Sequence, residues 1–339
     1  MRVEIKEILD EKTWEKFVLA QPPHTPFLQS WAWGEFQDAM GLSHHRLGLL
    51  DRGKMVGGVQ ALVGGRKLGQ FVYVPHGPLI VTSDKGPVIS LIDYLKKLAE
   101  SKKVDYLRVE PPWEATEEGK ELLRKLGFRP IAATSQAGGA TLLLDLRAPE
   151  EALLMGMRKT TRYLVRRGQE MGIEVERSRD PEMMEEFHRL MVATYRRQGF
   201  TPHSRKYLQT QFEILAPRGM AELYLAKYQS NILAVAVIVT YGDTATYLHA
   251  ASVRSDIPAA YVLQWEAIRQ AKKEDLDFYD LWGIAPTDDP HHPWYGYSLF
   301  KKGFGGYRMD YLGAWDYPLT KRYLAVAGVE RVRKFLRRY

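Results

Sequence analysis

The chain has 339 residues, of which 45% are hydrophobic and 26% are charged, and this ordinary globular composition excludes a disordered, collagen-like or coiled-coil protein. It contains no cysteine, which excludes a disulfide framework, a thiolate nucleophile and a cysteine-ligated zinc or iron–sulfur site. Lysine and arginine outnumber aspartate and glutamate by 48 to 41, and the net charge of +7 favours an anionic partner such as nucleic acid, a nucleotide-linked substrate or a membrane face.

The N-terminal segment, residues 1–19, is dense in charge, and no apolar signal-peptide core can be placed through it. The longest apolar run, residues 232–239, is far shorter than the ~20 residues that a membrane-spanning helix needs, and it is rich in β-branched side chains. We therefore predict that this run is a buried strand and that the protein is cytosolic.

The first half of the chain has the periodicity of a hairpin followed by a strand, a helix and another strand. Apolar runs predict the strands, and the helical spacing of apolar residues between Ile89 and Leu98 predicts the helix. The predicted elements are strands 45–50 and 55–63 around a turn at Gly53, strand 70–74, helix 88–101 and strand 104–110.

The second half repeats this order of elements. Its predicted elements are strands 221–228 and 232–241 around a turn at residues 229–231, strand 244–250, helix 259–273 and strand 276–282. A helix that returns the chain beside its own hairpin makes one parallel pair in an otherwise antiparallel sheet. We therefore predict an α+β fold of two tandem GNAT-like acyltransferase domains, each with a mixed, mostly antiparallel sheet flanked by helices.

Two segments concentrate positive charge. A break at Ala148–Pro149 sets a domain boundary near residue 147, and residues 150–172 are predicted to form one helix. This helix carries cations at positions 158, 159, 162, 166 and 167, which indicate either a phosphate-binding ridge or an ordinary solvated face. Residues 320–339 are predicted to form a basic amphipathic helix that docks on the core or contacts an anionic lipid face or RNA.

The segment from Tyr297 to Gly306 is the second candidate for chemistry. Lys301 precedes three glycines, at positions 303, 305 and 306, and this pattern predicts a backbone that approaches a ligand closely beside an ammonium group. A cation held against a developing oxyanion is a common device in acyl transfer. The alternative is a glycine-rich turn with two solvent-exposed lysines, and the spacing of a phosphate-binding P-loop is absent.

Other kinds of site are poorly supported. The adjacent pairs His44–His45 and His291–His292 lack the spacing of metal ligands, so we expect no metal, and no G-x-S-x-G motif supports a serine hydrolase. Acetyl-coenzyme A binding in a GNAT domain uses a glycine turn before a helix. The matching residues 254–259 read R-S-D-I-P-A, in which the charge of Asp256 and the missing amide of Pro258 oppose pyrophosphate binding.

Several motifs in a fixed order resemble those of one family. They are Q-S-W-A-W-G at 29–34, Y-V-P-H-G-P-L at 73–79, R-V-E-P at 108–111, M-R-K-T-T-R at 157–162 with G-I-E-V at 172–175, Y-D-L-W-G-I at 279–284 and F-K-K-G-F-G-G at 300–306. Through them nearly the whole chain resembles the Fem-type (FemABX) peptidoglycan-bridge aminoacyltransferases, in the short type without a coiled-coil arm. The resemblance implies a first GNAT-like domain of residues 1–147 plus 315–339 and a second of residues 148–314.

The resemblance also implies a reaction and its residues. The reaction would be aminolysis of an aminoacyl-tRNA ester by an amine on the stem peptide of UDP-MurNAc-pentapeptide or lipid II. Lys301 would face the carbonyl oxygen, Glu110 is either a general base or a structural strand-end carboxylate, and Gln37 stands where the family has a lysine for the precursor's pyrophosphate. The other implied contacts are Arg197, His203, Tyr207, Tyr247 and Phe300 for the substrate, and Arg158, Lys159, Arg162, Arg166 and Lys302 for tRNA.

The resemblance implies no cofactor, and we expect a cytoplasmic monomer, with peripheral contact at the inner face of the membrane as an alternative. Two other functions stay open at this point. One is an acyl-coenzyme A-dependent N-acyltransferase, which residues 254–259 oppose. The other is a non-catalytic protein that binds a wall precursor, and the glutamine at position 37 is its main support.

Overall fold

The structure, a computed structural model, describes residues 3–21, 24, 26–66, 69–80, 85–131, 139–198 and 203–337. The chain divides into two compact units. The first consists of Met1–Ala140, Gly283–Tyr295 and Met309–Tyr339, and the second of Thr141–Trp282 and Gly296–Arg308. The domain limits predicted at residues 147, 148 and 315 stay predictions.

The described residues form two sheets. The strands are β1 (Val3–Glu7), β2 (Ser43–Asp51), β3 (Lys54–Arg66), β4 (Gly69–Pro75), β5 (Leu79–Ile80), β6 (Tyr106–Glu110), β7 (Arg129–Pro130), β8 (Ala140–Asp145), β9 (Glu174–Ser178), β10 (Ala221–Tyr228), β11 (Asn231–Tyr241), β12 (Thr244–Ser252), β13 (Phe278–Asp280), β14 (Tyr307–Asp310) and β15 (Trp315–Pro318). One sheet has the order β1-β2-β3-β4-β6-β15-β7, with β5 beside β3, and the other has the order β14-β8-β13-β12-β11-β10-β9.

Helices flank both sheets. They are α1 (Glu11–Leu19), α2 (Trp31–Ala39), α3 (Lys85–Ser101), α4 (Glu117–Lys125), α5 (Glu150–Gly156), α6 (Lys159–Glu170), α7 (Met184–Gln198), α8 (Arg205–Leu215), α9 (Ala259–Lys273), α10 (Tyr295–Lys302) and α11 (Tyr323–Arg337). Helices α3 and α9 lie where the sequence predicted them. Helix α9 is apolar over much of its surface, with Leu263, Trp265 and Ile268 among its buried residues, because it covers a sheet rather than facing water.

The predicted parallel crossover is present in both units. Strand β4 pairs in parallel with β6 across helix α3, and β12 pairs in parallel with β13 across helix α9. The two parallel pairs also have similar registers. Tyr106, the first residue of β6, lies opposite Phe71 near the start of β4, and Phe278, the first residue of β13, lies opposite Thr244 at the start of β12. The α+β fold and the internal repeat predicted from the order of elements are therefore confirmed.

The single helix predicted over residues 150–172 is wrong. The chain leaves helical geometry at Met157 and Arg158, whose ψ angles are 150° and 139°, so that α5 and α6 are separate helices. A bond from distant sequence replaces the helical one, because the backbone N–H of Arg158 donates to the carbonyl of Gly303 at 2.9 Å. The Arg162 guanidinium donates to the carbonyls of Met155 and Met157 at 3.0 and 3.1 Å and so satisfies the end of α5.

A buried ionic cluster attaches β15 and α11 to the core of the first unit. Arg108 on β6 donates to both carboxylate oxygens of Asp316 on β15, at 2.8 and 2.9 Å, and to Glu330 on α11 at 3.0 Å. The side chain of Asp316 is fully buried and that of Glu330 is 29% exposed. The bidentate geometry fixes the register of β15 beside β6, and Tyr323 and Val326 of α11 are buried on the same sheet.

Among the described residues, no helix is both long enough and apolar enough to cross a membrane.

The ionic cluster generates a prediction about stability. We expect Asp316→Asn to lower the free energy of unfolding of the first unit by about 3 kcal/mol or more, because it leaves a buried guanidinium short of one counter-charge. Glu330→Gln serves as the control and should cost at most about 1 kcal/mol, because the Glu330 carboxylate is partly solvated and screened. Urea unfolding curves of the two variants measure the difference, and equal losses would show that Asp316 does not carry the cluster.

Candidate functional site

Lys301 is completely buried although it lies near the end of the short helix α10. Its Nζ donates a hydrogen bond to the hydroxyl of Tyr297, one turn earlier on the helix. The same Nζ lies 3.8 Å from the centre of the Tyr297 ring and 5.9 Å from that of Tyr247, which is on β12. Two aromatic faces therefore surround the amine, an arrangement that favours its cationic form.

Asp280 supplies the negative charge of this cluster. It ends strand β13 and is buried, and its carboxylate accepts hydrogen bonds from the Thr141 hydroxyl on β8 and, at 2.7 Å, from the backbone N–H of Trp282. The N–H of Trp282 reaches Oδ1 of Asp280 with Trp282 at a φ of 64°, a left-handed conformation that costs a non-glycine residue about 1–2 kcal/mol. The strained conformation of Trp282 thus allows its N–H to orient the Asp280 carboxylate.

Burial and the opposite charge act against each other at both groups. Burial lowers the pKa of Lys301 well below its usual value, and the charge of Asp280 raises it. Burial raises the pKa of Asp280 to about 6, against the hydrogen bonds from Thr141 and Trp282 and the charge of Lys301, which lower it. With a pKa of about 6, Asp280 is ionised at pH 7, and its charge opposes the lowering of the Lys301 pKa by burial. A cation held in a dry, low-dielectric setting can stabilise negative charge that develops on a substrate oxygen.

The glycines after Lys301 pack closely against other parts of the protein. A Cβ atom at Gly303 would lie 2.3 Å from the Thr161 hydroxyl oxygen, and one at Gly306 would lie 2.4 Å from the Leu143 carbonyl oxygen. A Cβ at Gly305 would lie 2.8 Å from the carbonyl oxygen of Gly156. The sequence analysis assigned these glycines to close approach of a ligand. The structure instead uses them to seat the turn on β8 and on the junction of α5 and α6.

The basic helix α6 follows directly from this junction. Arg158, Lys159 and Arg166 are exposed, and Arg162 is half-buried where it binds the end of α5. Lys302, beside Lys301, is also half-buried. The predicted cationic ridge therefore lies on the segment that is hydrogen-bonded to the turn after Lys301. Of the five residues predicted to bind tRNA, all except Lys302 belong to the junction or to α6.

Phe300 belongs to an aromatic group on the same turn. Its ring lies 5.1 Å from that of Tyr261 on α9 and 5.2 Å from that of the buried Phe304. This contact anchors α10 on α9. The structure therefore gives Phe300 a packing role beside the substrate role that the family resemblance implies.

His203 and Tyr207 form a separate cluster in the second unit. Their rings stack at 4.3 Å with an angle of 13° between the planes, and His203 meets His249 of β12 edge to face at 5.7 Å. Burial and the charge of His203 lower the pKa of His249 to about 3, so its ring is neutral and hydrogen-bonds the Gln211 side chain at 2.9 Å. The side chain of Arg197 and residues 199–202 lie outside the described part of the chain.

The predicted residues of the first unit are both buried. Glu110 ends strand β6 and accepts a hydrogen bond from the Tyr73 hydroxyl at 2.9 Å. Gln37 on α2 is 3% exposed, and its Nε2 has no hydrogen-bond partner among the described residues. The buried His76 follows β4, which pairs with β6 next to Glu110, and burial lowers its pKa to about 4.

Asp280, Thr141 and His249 were not assigned to a site from the sequence, and Tyr297 was identified only as the first residue of the segment that contains Lys301. Asp280 was quoted only as part of a motif, and Thr141 is 139 residues away from it in sequence. Asp280 lies inside the predicted strand 276–282, and no strand was predicted over Thr141, so local pattern gave no signal for their contact. Among the described residues no group of three or more His, Asp or Glu side chains could hold a metal ion.

The comparisons with known proteins agree with this architecture. The FemAB family model matches residues 9–232 and 217–331. Proteins named lipid II:glycine glycyltransferase from Staphylococcus haemolyticus (strain JCSC1435) and Staphylococcus aureus (strain USA300) are 23% and 22% identical to the chain. Their alignments cover 91% and 88% of this chain and 91% and 89% of those proteins.

Two solved structures show the same fold. The crystal structure of FemX has a TM-score of 0.84 at 21% identity and covers 96% of this chain and 100% of that one. A tandem GNAT protein from the clavulanic acid biosynthesis pathway has a TM-score of 0.58 at 13% identity and covers 94% and 98%. The predicted tandem GNAT-like fold is therefore confirmed.

The packing of the glycine turn predicts the effect of a single methyl group. We expect Gly306→Ala to destabilise the second unit by about 2–4 kcal/mol, because it adds a left-handed alanine and a contact too short for a carbon atom. Gly296→Ala is the matched control on α10, where a Cβ meets nothing within 4 Å, and it should be neutral or stabilise by up to about 1 kcal/mol. Thermal and urea unfolding measure both changes, and a neutral Gly306→Ala would contradict the packing described.

Proposed function

The chain belongs to the FemAB family, and we propose that it transfers an aminoacyl group from aminoacyl-tRNA to an amine on the stem peptide of a peptidoglycan precursor. The relatives named lipid II:glycine glycyltransferase support a glycyl donor and a lipid-linked acceptor as the first substrates to test. One observation carries the proposal. Lys301 is completely buried beside the charge of Asp280. It also lies just before a turn that is hydrogen-bonded to Arg158, at the start of a basic helix.

The reaction places one demand on the protein that Lys301 meets. The neutral amine attacks the ester carbonyl, its nitrogen forms the new bond to carbon, and the carbonyl oxygen becomes an oxyanion. The C–O bond to the ribose then breaks, and the proton lost by the amine is taken up by the leaving ribose oxygen. The ammonium of Lys301 stabilises the oxyanion, and because an ester is already activated, this charge and correct positioning supply much of the rate.

The remaining predicted residues keep the roles that the family resemblance implies. Arg158, Lys159, Arg162, Arg166 and Lys302 would bind tRNA, and His203, Tyr207, Tyr247 and Phe300, with Arg197, would bind the acceptor side. We propose that Glu110, whose carboxylate accepts a hydrogen bond from the Tyr73 hydroxyl, takes the proton from the amine and passes it on, so that it ends on the leaving ribose oxygen. Gln37 would offer the precursor's pyrophosphate an amide in place of a charge.

The test of the proposal is transfer of radiolabelled amino acids from a mixed charged-tRNA pool to UDP-MurNAc-pentapeptide and, in parallel, to lipid II. Label that appears in one precursor and is lost after ribonuclease treatment supports the reaction and identifies the acceptor, and single-amino-acid pools then identify the donor. Tight precursor binding without transfer would favour a non-catalytic protein. Transfer from acyl-coenzyme A instead would overturn the choice of donor.

Lys301→Met should lower kcat for transfer by about 100-fold or more, because one group that stabilises an oxyanion typically contributes this much. The affinity for the precursor should stay within about twofold. Lys302→Met is the neighbouring comparison, and we expect it to raise KM for aminoacyl-tRNA with little change in kcat. Steady-state kinetics with both variants separate the roles, and unchanged turnover in Lys301→Met would remove Lys301 from the mechanism.

The pKa of Asp280, about 6, predicts a pH dependence. As the pH falls through this value Asp280 becomes neutral, and Lys301 loses its counter-ion. The ratio of kcat for the wild type to kcat for Asp280→Asn should therefore be about tenfold above pH 7 and approach one near pH 5. Titration of the substrates cancels in this ratio. Asp275→Asn is the control, because Asp275 is exposed and has a φ of 57°, which asparagine also adopts. Its ratio of kcat values should not change with pH. A ratio for Asp280→Asn that does not change with pH would contradict the role of Asp280.

A further inference from the structure

The outer face of α6 carries an exposed tyrosine among cations. Tyr163 is 59% exposed, and Lys159, Arg166 and Arg167 are exposed at positions four before, three after and four after it in sequence. Residues at these spacings are neighbours on a helix surface. A tyrosine in this position keeps a large ring in water beside three cations, where the ring is accessible to a ligand.

The opposite face of α6 holds the helix rigidly. Thr161, Val165 and Gly168 are buried, and a Cβ at Gly168 would lie 2.4 Å from Val262 of α9, so the two helices are in close contact. The bonds from Arg162 to the end of α5 fix the first turn. The Tyr163 ring is therefore presented on a fixed support.

This support is joined to the candidate reaction centre. The Arg158 N–H donates to the Gly303 carbonyl at 2.9 Å, two residues after Lys301. Tyr163 follows Arg158 by five residues, which is about 7.5 Å along a helix axis. This rise is measured from the junction that is bonded to the turn after Lys301, and it corresponds to about two stacked nucleotides of an unpaired strand at ≈ 3.4 Å each.

We propose that Tyr163 is the stacking platform for a base in the single-stranded 3′ end of the donor RNA, with Lys159, Arg166 and Arg167 around it to hold the neighbouring phosphates. This inference rests on the proposed function and adds a recognition site to it. An aromatic ring flanked by cations is the combination that binds unpaired nucleic acid, because every base has a face to stack and every nucleotide has a phosphate.

The composition of the face favours RNA over a lipid surface. A helix that lies on a membrane presents a continuous apolar stripe opposite its cations. The exposed face of α6 instead surrounds Tyr163 with Lys159, Thr160, Arg166 and Arg167, all polar or charged. One aromatic side chain in such a ring suits stacking and does not suit insertion between acyl chains.

The experiment compares two donors of different length, aminoacyl-tRNA and the 3′-O-aminoacyl ester of adenosine. Tyr163→Ala should raise KM for aminoacyl-tRNA by about tenfold, in line with the usual contribution of one stacked base, without changing kcat. The kinetics with aminoacyl-adenosine, which ends before the platform, should not change. Tyr163→Trp and Tyr163→Phe should restore KM, and Tyr94→Ala on α3, another exposed tyrosine, is the control and should have no effect.

Salt dependence tests the cations independently. Arg166→Gln or Arg167→Gln should reduce the slope of log KM against log salt by about 0.7 for each phosphate of the single strand that the variant no longer neutralises, and Tyr163→Ala should leave the slope unchanged. An equal loss with both donors, or an unchanged KM for aminoacyl-tRNA in Tyr163→Ala, would overturn the platform. If these variants lose binding to vesicles that contain anionic lipid while their kinetics with aminoacyl-tRNA stay unchanged, the exposed face of α6 binds a membrane instead.

The outcomes separate this inference from the proposed function. If the wild type transfers from both donors and Tyr163→Ala behaves as the wild type does, the platform is wrong and the proposed function stands. If the wild type transfers from neither donor, the proposed function fails. Binding of uncharged tRNA, followed by fluorescence anisotropy, then decides the platform alone: a wild-type affinity about tenfold above that of Tyr163→Ala supports it, and equal affinities overturn it.

Discussion

The burial of the Lys301 amine is the constraint on which the second unit depends. Removing a charge from water costs several kcal/mol unless the structure supplies an opposite charge and hydrogen bonds. Lys301 receives both, from Asp280 and from the Tyr297 hydroxyl. Asp280 in turn needs Thr141 and the strained backbone of Trp282. Four parts of the second unit therefore contribute to the setting of this one amine. They are strands β8 and β13, the start of the loop after β13, and helix α10.

The internal repeat uses one position in two ways. Arg108 is the third residue of β6, and Asp280 is the third residue of β13, and these strands occupy equivalent places after the crossover helix. Each of the two residues interacts with a residue of opposite ionisable type, Arg108 with Asp316 and Asp280 with Lys301. In the first unit the pair joins Arg108 to Asp316 and holds β15 in place. In the second unit the charge of Asp280 raises the pKa of Lys301 against the effect of burial, so this position carries one member of a buried ionisable pair in both copies.

Local pattern predicted most of the fold, because hairpins, strands and helices α3 and α9 follow from periodicity within a few residues. What the pattern missed depends on contacts between distant segments. Residues 150–172 read as one helix, and only the bond from Arg158 to Gly303 ends it at Met157. Lys301 could be selected by its sequence context, but its complete burial could not, because Asp280 and Thr141 come from two other strands. The glycines after it were assigned to close approach of a ligand, whereas in the structure they pack against the protein itself, at the Thr161 side chain and at the backbone of Gly156 and Leu143.

The pairing of β15 with β6 also has a consequence for biosynthesis. Strand β6 ends at residue 110, and its partner does not leave the ribosome until residues 315–318 have been made. At a synthesis rate of about 5–20 residues per second this interval lasts roughly 10–40 seconds. Throughout it one edge of β6 has unpaired N–H and C=O groups, and such edges pair readily with other strands. The sequence of the second unit is complete before the first unit can close its sheet, so this edge stays open to pairing with other strands during the time in which the second half is translated.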